Sequence, residues 1–239
     1  MLNRFAVFTT MLCAAVLSSA PNLQAQQSEV KSIVLVHGAW VDGSGWRGVY
    51  DNLVKDGYNV SIVQEPETSF RDDVAATKRV LAQQDGPCIG VAHSYGGAVI
   101  TEAGTDPSVA GLVYVAAHMP DAGENEADDG KRFPSDLSKS TAIKKTADGF
   151  TYLDPSQFHE CFAADLFAEQ AAFMARSQVL NAADNIKAAI TIVPKGIAGG
   201  PANGAVIINT ERNTSGRKSA HQPVTAEPAS RPTTADTER

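Results

Sequence analysis

The sequence predicts an α/β fold, a mostly parallel sheet with helices on both faces, and three observations carry that prediction. Short strand-like runs at Ser32 to Val36, Asn59 to Val63, Cys88 to Ala92 and Val109 to Ala116 are separated by helical stretches, which is the alternation of β-α-β units. The first run, Ser-Ile-Val-Leu-Val, is apolar and β-branched without alternation, as a strand covered on both faces must be. A glycine-rich turn, Gly90-Val91-Ala92-His93-Ser94-Tyr95-Gly96-Gly97, stands directly between the third run and the helix after it.

Each element has a local reason. After the first strand, Gly43-Ser44-Gly45 breaks the chain, and Trp46 to Lys55 reads as a helix with Trp46, Val49, Tyr50, Leu53 and Val54 on one face, closed by Gly57. Asn59 to Val63 is the second strand. Ser69-Phe70-Arg71-Asp72 resembles a capping box, with Asp in the place of Glu or Gln, and opens a helix to about Gln84 that stops near Gly86-Pro87. Cys88 to Ala92 is the third strand, Tyr95 to about Ala103 a helix, and Val109 to Ala116 the fourth strand. From about residue 119 to 190 the pattern reads as a cap: a polar stretch from Pro120 to Ser140, then mostly helical sequence from Pro155 to Ile190. The apolar cap residues Phe158, Phe162, Leu166, Phe167, Phe173 and Met174 recur at helical spacing and are expected to pack the cap on the core. From about residue 193 to 239 the composition is atypical. Ala205 to Ile208 is one weak strand candidate, and from Asn213 onward nothing is apolar enough to bury, so the tail is expected to be largely disordered.

The bulk numbers exclude some functions. The 239 residues, 43% hydrophobic and 20% charged, fit one ordinary globular domain. A net charge of −7 offers no basic stripe for phosphates, so neither nucleic acid nor an anionic membrane is an expected partner, and a small neutral or apolar molecule is. Met1 to Ala25 has the layout of a secretory signal peptide: Arg4, an apolar run from Phe5 to Val16, then small and polar residues. Cleavage is expected after Ala25, with Ala20 as the rival, and the mature chain is expected in the periplasm or outside the cell. That run is too short to span a bilayer, which takes about 20 residues. Of the three cysteines, Cys13 lies in the leader, which leaves Cys88 and Cys161; Cys88 sits in an apolar strand where a thiol behaves as a small hydrophobe, so no bridge is expected. No Cys and His cluster has metal-site spacing.

The chemistry concentrates at the turn around Ser94. A small residue two places either side of a serine, Ala92 and Gly96 here, lets a strand turn sharply into a helix and lifts the hydroxyl above the sheet. The helix that follows aims its N–H groups and positive dipole end at the same place. Ser94 is therefore the candidate nucleophile. A tetrahedral acyl intermediate needs preorganised donors for its oxyanion; the Tyr95 N–H supplies one by following the nucleophile, and Val36-His37-Gly38-Ala39-Trp40 supplies the other, from Ala39 with Trp40 close behind. His37 is read as organising that loop. Trp40, His93 and His118 are the candidate substrate contacts.

With those motifs in order, HGAW, AHSYGG and VYVAAHMPDAGE, the stretch from Ser32 to His118 resembles the α/β-hydrolase superfamily, in particular small bacterial esterase-like members related to plant methylesterases and hydroxynitrile lyases. The resemblance implies an α/β-hydrolase domain over about residues 30–192, no cofactor, and a Ser-His-acid triad whose acid and histidine follow later strands. The chain departs from that pattern after the cap: it has Ala205 to Ile208 and then polar residues, and its sole later histidine, His221, has no strand before it. Truncation or a frame shift near Ile192 is the expected cause of the departure, which leaves the base open. His118, at the end of the fourth strand, is the substitute candidate, as base or as substrate contact; His159 hangs on the cap. For the acid, Glu211 follows the weak strand, with Asp121 and Glu124 as alternatives. A serine without its base is a poor nucleophile, so the expected activity, hydrolysis of an ester or similar acyl bond, is possible only in impaired form if no substitute serves. The competing readings are a hydrolase fold that binds without turnover and a hydroxynitrile-lyase-like lyase.

Overall fold

The computed structural model describes residues 30–194 and a strand at 205–208. The expected leader at 1–25, Glu211, His221 and most of the tail lie outside the described residues. Five parallel strands form the main sheet: β1 (Ser32–Val36), β2 (Asn59–Ile62), β3 (Cys88–Ser94), β4 (Val109–Ala117) and, late in the chain, a strand at Ala205–Ile208, in the spatial order β2, β1, β3, β4 and that last strand. Helices α1 (Arg47–Lys55), α2 (Phe70–Leu81) and α3 (Gly96–Ala103) make the crossovers.

Alternation along β1 sorts the two faces. Val34 and Val36 point to one side and join Ala92, Leu112 and Tyr114 against Val74 and Leu81 of α2 and Val99, Ile100 and Ala103 of α3. Ile33 and Leu35 point to the other, against Trp46, Tyr50 and Leu53. Burying side chains of this size contributes roughly 1.5–3 kcal/mol each. The start of α2 is capped as the sequence indicated: the Ser69 hydroxyl accepts from the Asp72 N–H at 3.1 Å. The shorter Asp reaches back to the Ser69 and Thr68 hydroxyls, which donate to it. On α1 the face is narrower than expected. Val49 and Val54 are exposed, because the preceding 3-10 turn (Gly43–Trp46) carries Trp46 inward and leaves Tyr50 and Leu53 to cover the sheet.

The cap holds more than helices. The polar stretch after β4 forms α4 (Glu126–Arg132) and α5 (Asp136–Lys139), each opened by a side-chain cap, from Asn125 and Ser135. Then β5 (Ile143–Lys145) and β6 (Phe150–Leu153) make an antiparallel hairpin, α6 (Phe158–Phe162) and α7 (Ala168–Arg176) follow, and β7 (Asn181–Ala182) closes a three-stranded antiparallel sheet with β6. Phe158 is fully buried with Leu153, Ala171 and Ala175, and Phe162, Leu166 and Met174 pack beside them. Phe167 and Phe173 do not pack: they are 81% and 61% exposed. The small side chains of Ala171 and Ala175 set the buried face of α7, which turns Phe173 outward. Cys88 and Cys161 are both free thiols.

The two glycines that open α3 are required by space. A Cβ on Gly96 would lie 2.2 Å from the His37 carbonyl oxygen, and one on Gly97 would lie 2.1 Å from that of His118. Both obstacles are main chain and cannot move aside. Gly97→Ala is expected to lower the urea midpoint by an amount worth about 1–3 kcal/mol. By contrast Gly130→Ala, inside α4 with open space around it, is expected to raise it by about 0.5–1 kcal/mol.

Candidate active site

Ser94 ends β3 with φ 51°, and Tyr95 caps α3. A non-glycine residue held in the left-handed region costs about 1–3 kcal/mol and persists where the surroundings over-determine it. Here they do. The Ser94 carbonyl accepts from the His118 N–H at 3.1 Å, and a Cβ on Gly38 would sit 2.9 Å from the Ser94 Cβ. The loop after β1, the turn at Ser94 and the end of β4 therefore meet at one place, at the carboxyl ends of three adjacent parallel strands. Ala116, also left-handed at φ 43°, falls where the β3–β4 register slips, His93 facing Val115 and Ser94 facing Ala117. That bulge re-aims the chain and brings His118 beside the turn.

The loop after β1 is held from beneath. His37 is buried; its Nε2 accepts from the Glu65 N–H at 3.0 Å and its Nδ1 donates to the Gly38 carbonyl, also at 3.0 Å. Burial holds its pKa below the ordinary value, against the Gly38 hydrogen bond and the charge of Asp42, so His37 is a neutral strut. Trp40 takes φ 65° and donates its backbone N–H to Glu67 Oε2 at 3.2 Å, while its indole donates to Thr151 of β6 at 3.0 Å. The Trp40 N–H is thus already engaged. Among the described residues the Ala39 and Tyr95 N–H groups bond no main-chain or side-chain acceptor.

The histidines separate by position. His93 borders the same loop, its Nδ1 3.1 Å from where a Gly38 Cβ would stand, and burial together with nearby His37 pushes its pKa down. His118 Nε2 lies 3.2 Å from Glu126 Oε1 on α4. Burial alone would lower its pKa, but the hydrogen bond and charge of Glu126 outweigh that and hold it above the ordinary value. His159 is exposed and bonds the Leu166 carbonyl inside the cap at 3.0 Å. The Glu124 carboxylate is engaged within its own loop, accepting from the Asp121 N–H at 2.9 Å through Oε2, and Asp121 is exposed. Among the described residues no imidazole accepts from the Ser94 hydroxyl. Two cavities, a small void of about 10 Å³ between the sheet and α2–α3 and an open depression of about 360 Å³ beside Glu160 to Asp165, both lie away from Ser94. Among the described residues no group of three or more His, Cys, Asp or Glu side chains is placed to hold a metal.

Sequence reasoning missed a buried acidic cluster under this site. Glu65, Glu67 and Asp73 are all buried. Asp73 accepts from the Tyr95 hydroxyl and the Glu67 N–H, each at 2.7 Å, and Asn185, at the cap's end, donates to the Glu67 carbonyl at 3.1 Å. A signal was present: Asp73, Thr77 and Leu81 share the buried face of α2 at spacing four, so an acid stood on an apolar stripe.

A model of the alpha/beta hydrolase family matches residues 33–230. The chain belongs to that family. No curated protein matches this hydrolase by sequence. Several solved structures share its fold. A pyrethroid hydrolase from Sphingobium faniae aligns with TM-score 0.58 at 19% identity over 75% of this chain and 88% of its own. A methylesterase from Arabidopsis aligns with TM-score 0.58 at 14% identity, over 75% and 89%. An extracellular alpha/beta-hydrolase of a Paenibacillus species, described as a structural and functional homologue of a tobacco salicylic acid binding protein, aligns with TM-score 0.55 at 19% identity, over 67% and 70%.

Burial sets the protonation of the acidic cluster. It pushes Glu67 up to about 9, opposed by the Trp40 N–H, and Asp73 up to about 6, opposed by the Tyr95 hydroxyl and the Glu67 N–H. Glu65 is held well above the carboxyl range by burial and then by the charges of its two neighbours. The folded hydrolase therefore keeps protons that the unfolded chain releases, starting from ordinary values of 4.5 for Glu67 and 3.8 for Asp73. Stability is expected to fall as pH rises from that range towards about 9. Glu67→Gln, which mimics the neutral acid, is expected to flatten the decline, as read from urea midpoints at acidic, neutral and alkaline pH.

Proposed function

We propose that this chain is a serine hydrolase acting on an ester or related acyl bond of a small, moderately apolar substrate. The observation that carries the reading is Ser94, held left-handed at the end of β3 beside a loop whose Ala39 N–H has no partner among the described residues. The substrate class draws support from fold neighbours named as a methylesterase, a pyrethroid hydrolase and a polyneuridine aldehyde esterase, and from the net charge of −7.

In this reading Ser94 Oγ attacks the acyl carbon and the carbonyl oxygen takes the negative charge between the Ala39 and Tyr95 N–H groups; each such donor typically contributes about 3–4 kcal/mol to the transition state. His118 is the base. Its Nε2–H donates to Glu126, which fixes the tautomer and leaves the Nδ1 lone pair to take the Ser94 proton, the logic by which a carboxylate orients a catalytic imidazole. The same proton then passes to the departing alkoxide as the C–O bond breaks, and water releases the acyl group by the reverse sequence. In this reading Glu126 takes the part of the acid, Glu211 lying outside the described residues.

A fluorophosphonate probe is expected to label the folded protein at Ser94 and not Ser94→Ala. The labelling rate is expected to rise with pH through a midpoint above the ordinary histidine value, because only neutral His118 accepts a proton and Glu126 holds its pKa up. Glu126→Gln should move that midpoint down, and His118→Ala should slow labelling by about 10²–10⁴-fold. Folded protein that takes up apolar esters without labelling would instead favour a binding protein, and cyanohydrin cleavage without ester turnover would favour a lyase.

A further inference from the structure

Two segments must hold their N–H groups at a fixed spacing for an oxyanion site to work: the loop after β1 and the residue after the nucleophile. They come from different strands, and nothing in either segment alone sets the distance between them. Beneath both lies one side chain. Asp73 Oδ2 accepts from the Tyr95 hydroxyl at 2.7 Å, and its Oδ1 accepts from the Glu67 N–H, also at 2.7 Å. Glu67 in turn accepts from the Trp40 N–H at 3.2 Å through Oε2. One carboxylate is thus tied directly to the residue carrying one donor and, through Glu67, to the residue adjoining the other.

We propose that Asp73 is the positioning residue that fixes the separation of the Ala39 and Tyr95 oxyanion donors. The inference deepens the reading of Ser94 as nucleophile and rests on it. Three features make the tie stiff. Asp73, Glu67 and Tyr95 are all buried, each without measurable exposure, so no water competes for the bonds. Glu67 is pinned in the left-handed region at φ 53°, and its carbonyl also accepts from Asn185 and from the Ala182 N–H at 2.9 Å, which brings the end of the cap onto the same support. Asp73 itself sits in the first turn of α2, where the helix dipole favours negative charge. A Tyr95 placed there only to fill space would not need its hydroxyl bonded to a carboxylate.

The test compares the full-length protein with Asp73→Ala, Asp73→Asn, Tyr95→Phe and the Asp73→Ala/Tyr95→Phe double variant. Leu81→Ala, buried on the same helix but outside the relay, controls for lost stability. On a short p-nitrophenyl ester, Asp73→Ala is expected to lower kcat by about tenfold or more with KM within about twofold, the mark of an interaction made in the transition state. Asp73→Asn, which keeps one acceptor oxygen, should restore part of that loss, and the double variant should be no worse than Asp73→Ala. Leu81→Ala should lose stability and keep kcat. Amide hydrogen exchange supplies a readout independent of turnover: Asp73→Ala should speed exchange in both segments 37–41 and 94–97, and Tyr95→Phe in 94–97 alone. Asp73 variants that match Leu81→Ala in kcat and leave exchange in both segments unchanged would overturn the proposal. If the unmutated protein neither labels nor turns over, the hydrolase reading fails by itself, and the exchange pattern alone decides whether Asp73 governs the two segments.

Discussion

The structure depends on a close approach of main chain to main chain at the end of β3. The loop after β1, the turn through Ser94 and the end of β4 come so near one another that residues 96 and 97 have no room for a Cβ against the His37 and His118 carbonyls. Parallel strands deliver this geometry cheaply, because their carboxyl ends line up on one edge and the crossovers leave that edge open. The strain of a left-handed Ser94 is then offset by packing that leaves the turn no alternative.

Under this contact the protein places acids where apolar side chains are the usual choice. Burying a carboxylate is costly unless it is bonded or neutral. The three acids divide the two solutions. Asp73 is well supplied with donors, while Glu67 is held mostly protonated near neutral pH by burial, and Glu65 has both oxygens buried without a hydrogen-bond partner among the described residues, beside His37 at 3.4 Å. Such a cluster is a poor source of stability and a good source of definition, since each bonded group must find one partner in one direction. The loop it supports is the one that follows β1 and carries Ala39 and Trp40.

Much of the scaffold was legible because it follows from local rules. β1 was placed at its observed bounds from an unbroken apolar run, α2 from its Ser69 cap, and the turn at Ser94 from small residues two places on either side. The cap was less legible. Its hairpin, Ile143–Lys145 with Phe150–Leu153, is short and carries two lysines, so periodicity gave it no weight, and α7 uses alanines as its buried face, which reversed the expectation for Phe173. The acidic cluster was hidden for a different reason: Glu67 and Asp73 lie near one another, but their partners Trp40, Tyr95 and Asn185 are far off in sequence, and only the closed fold brings them together. His118 could be singled out by its place after a strand, whereas its carboxylate partner Glu126 depends on how α4 turns back across the sheet edge.

What joins these features is the turn through Ser94, beside the Ala39 and Tyr95 N–H groups, which bond no acceptor among the described residues. The most direct measurement is an experimental structure of the phosphonylated protein. The account predicts a covalent bond from Ser94 Oγ to phosphorus and a phosphonyl oxygen about 2.7–3.1 Å from both the Ala39 and Tyr95 nitrogens. An adduct on another residue, or one on Ser94 whose oxygen faces solvent with neither donor in reach, would contradict it.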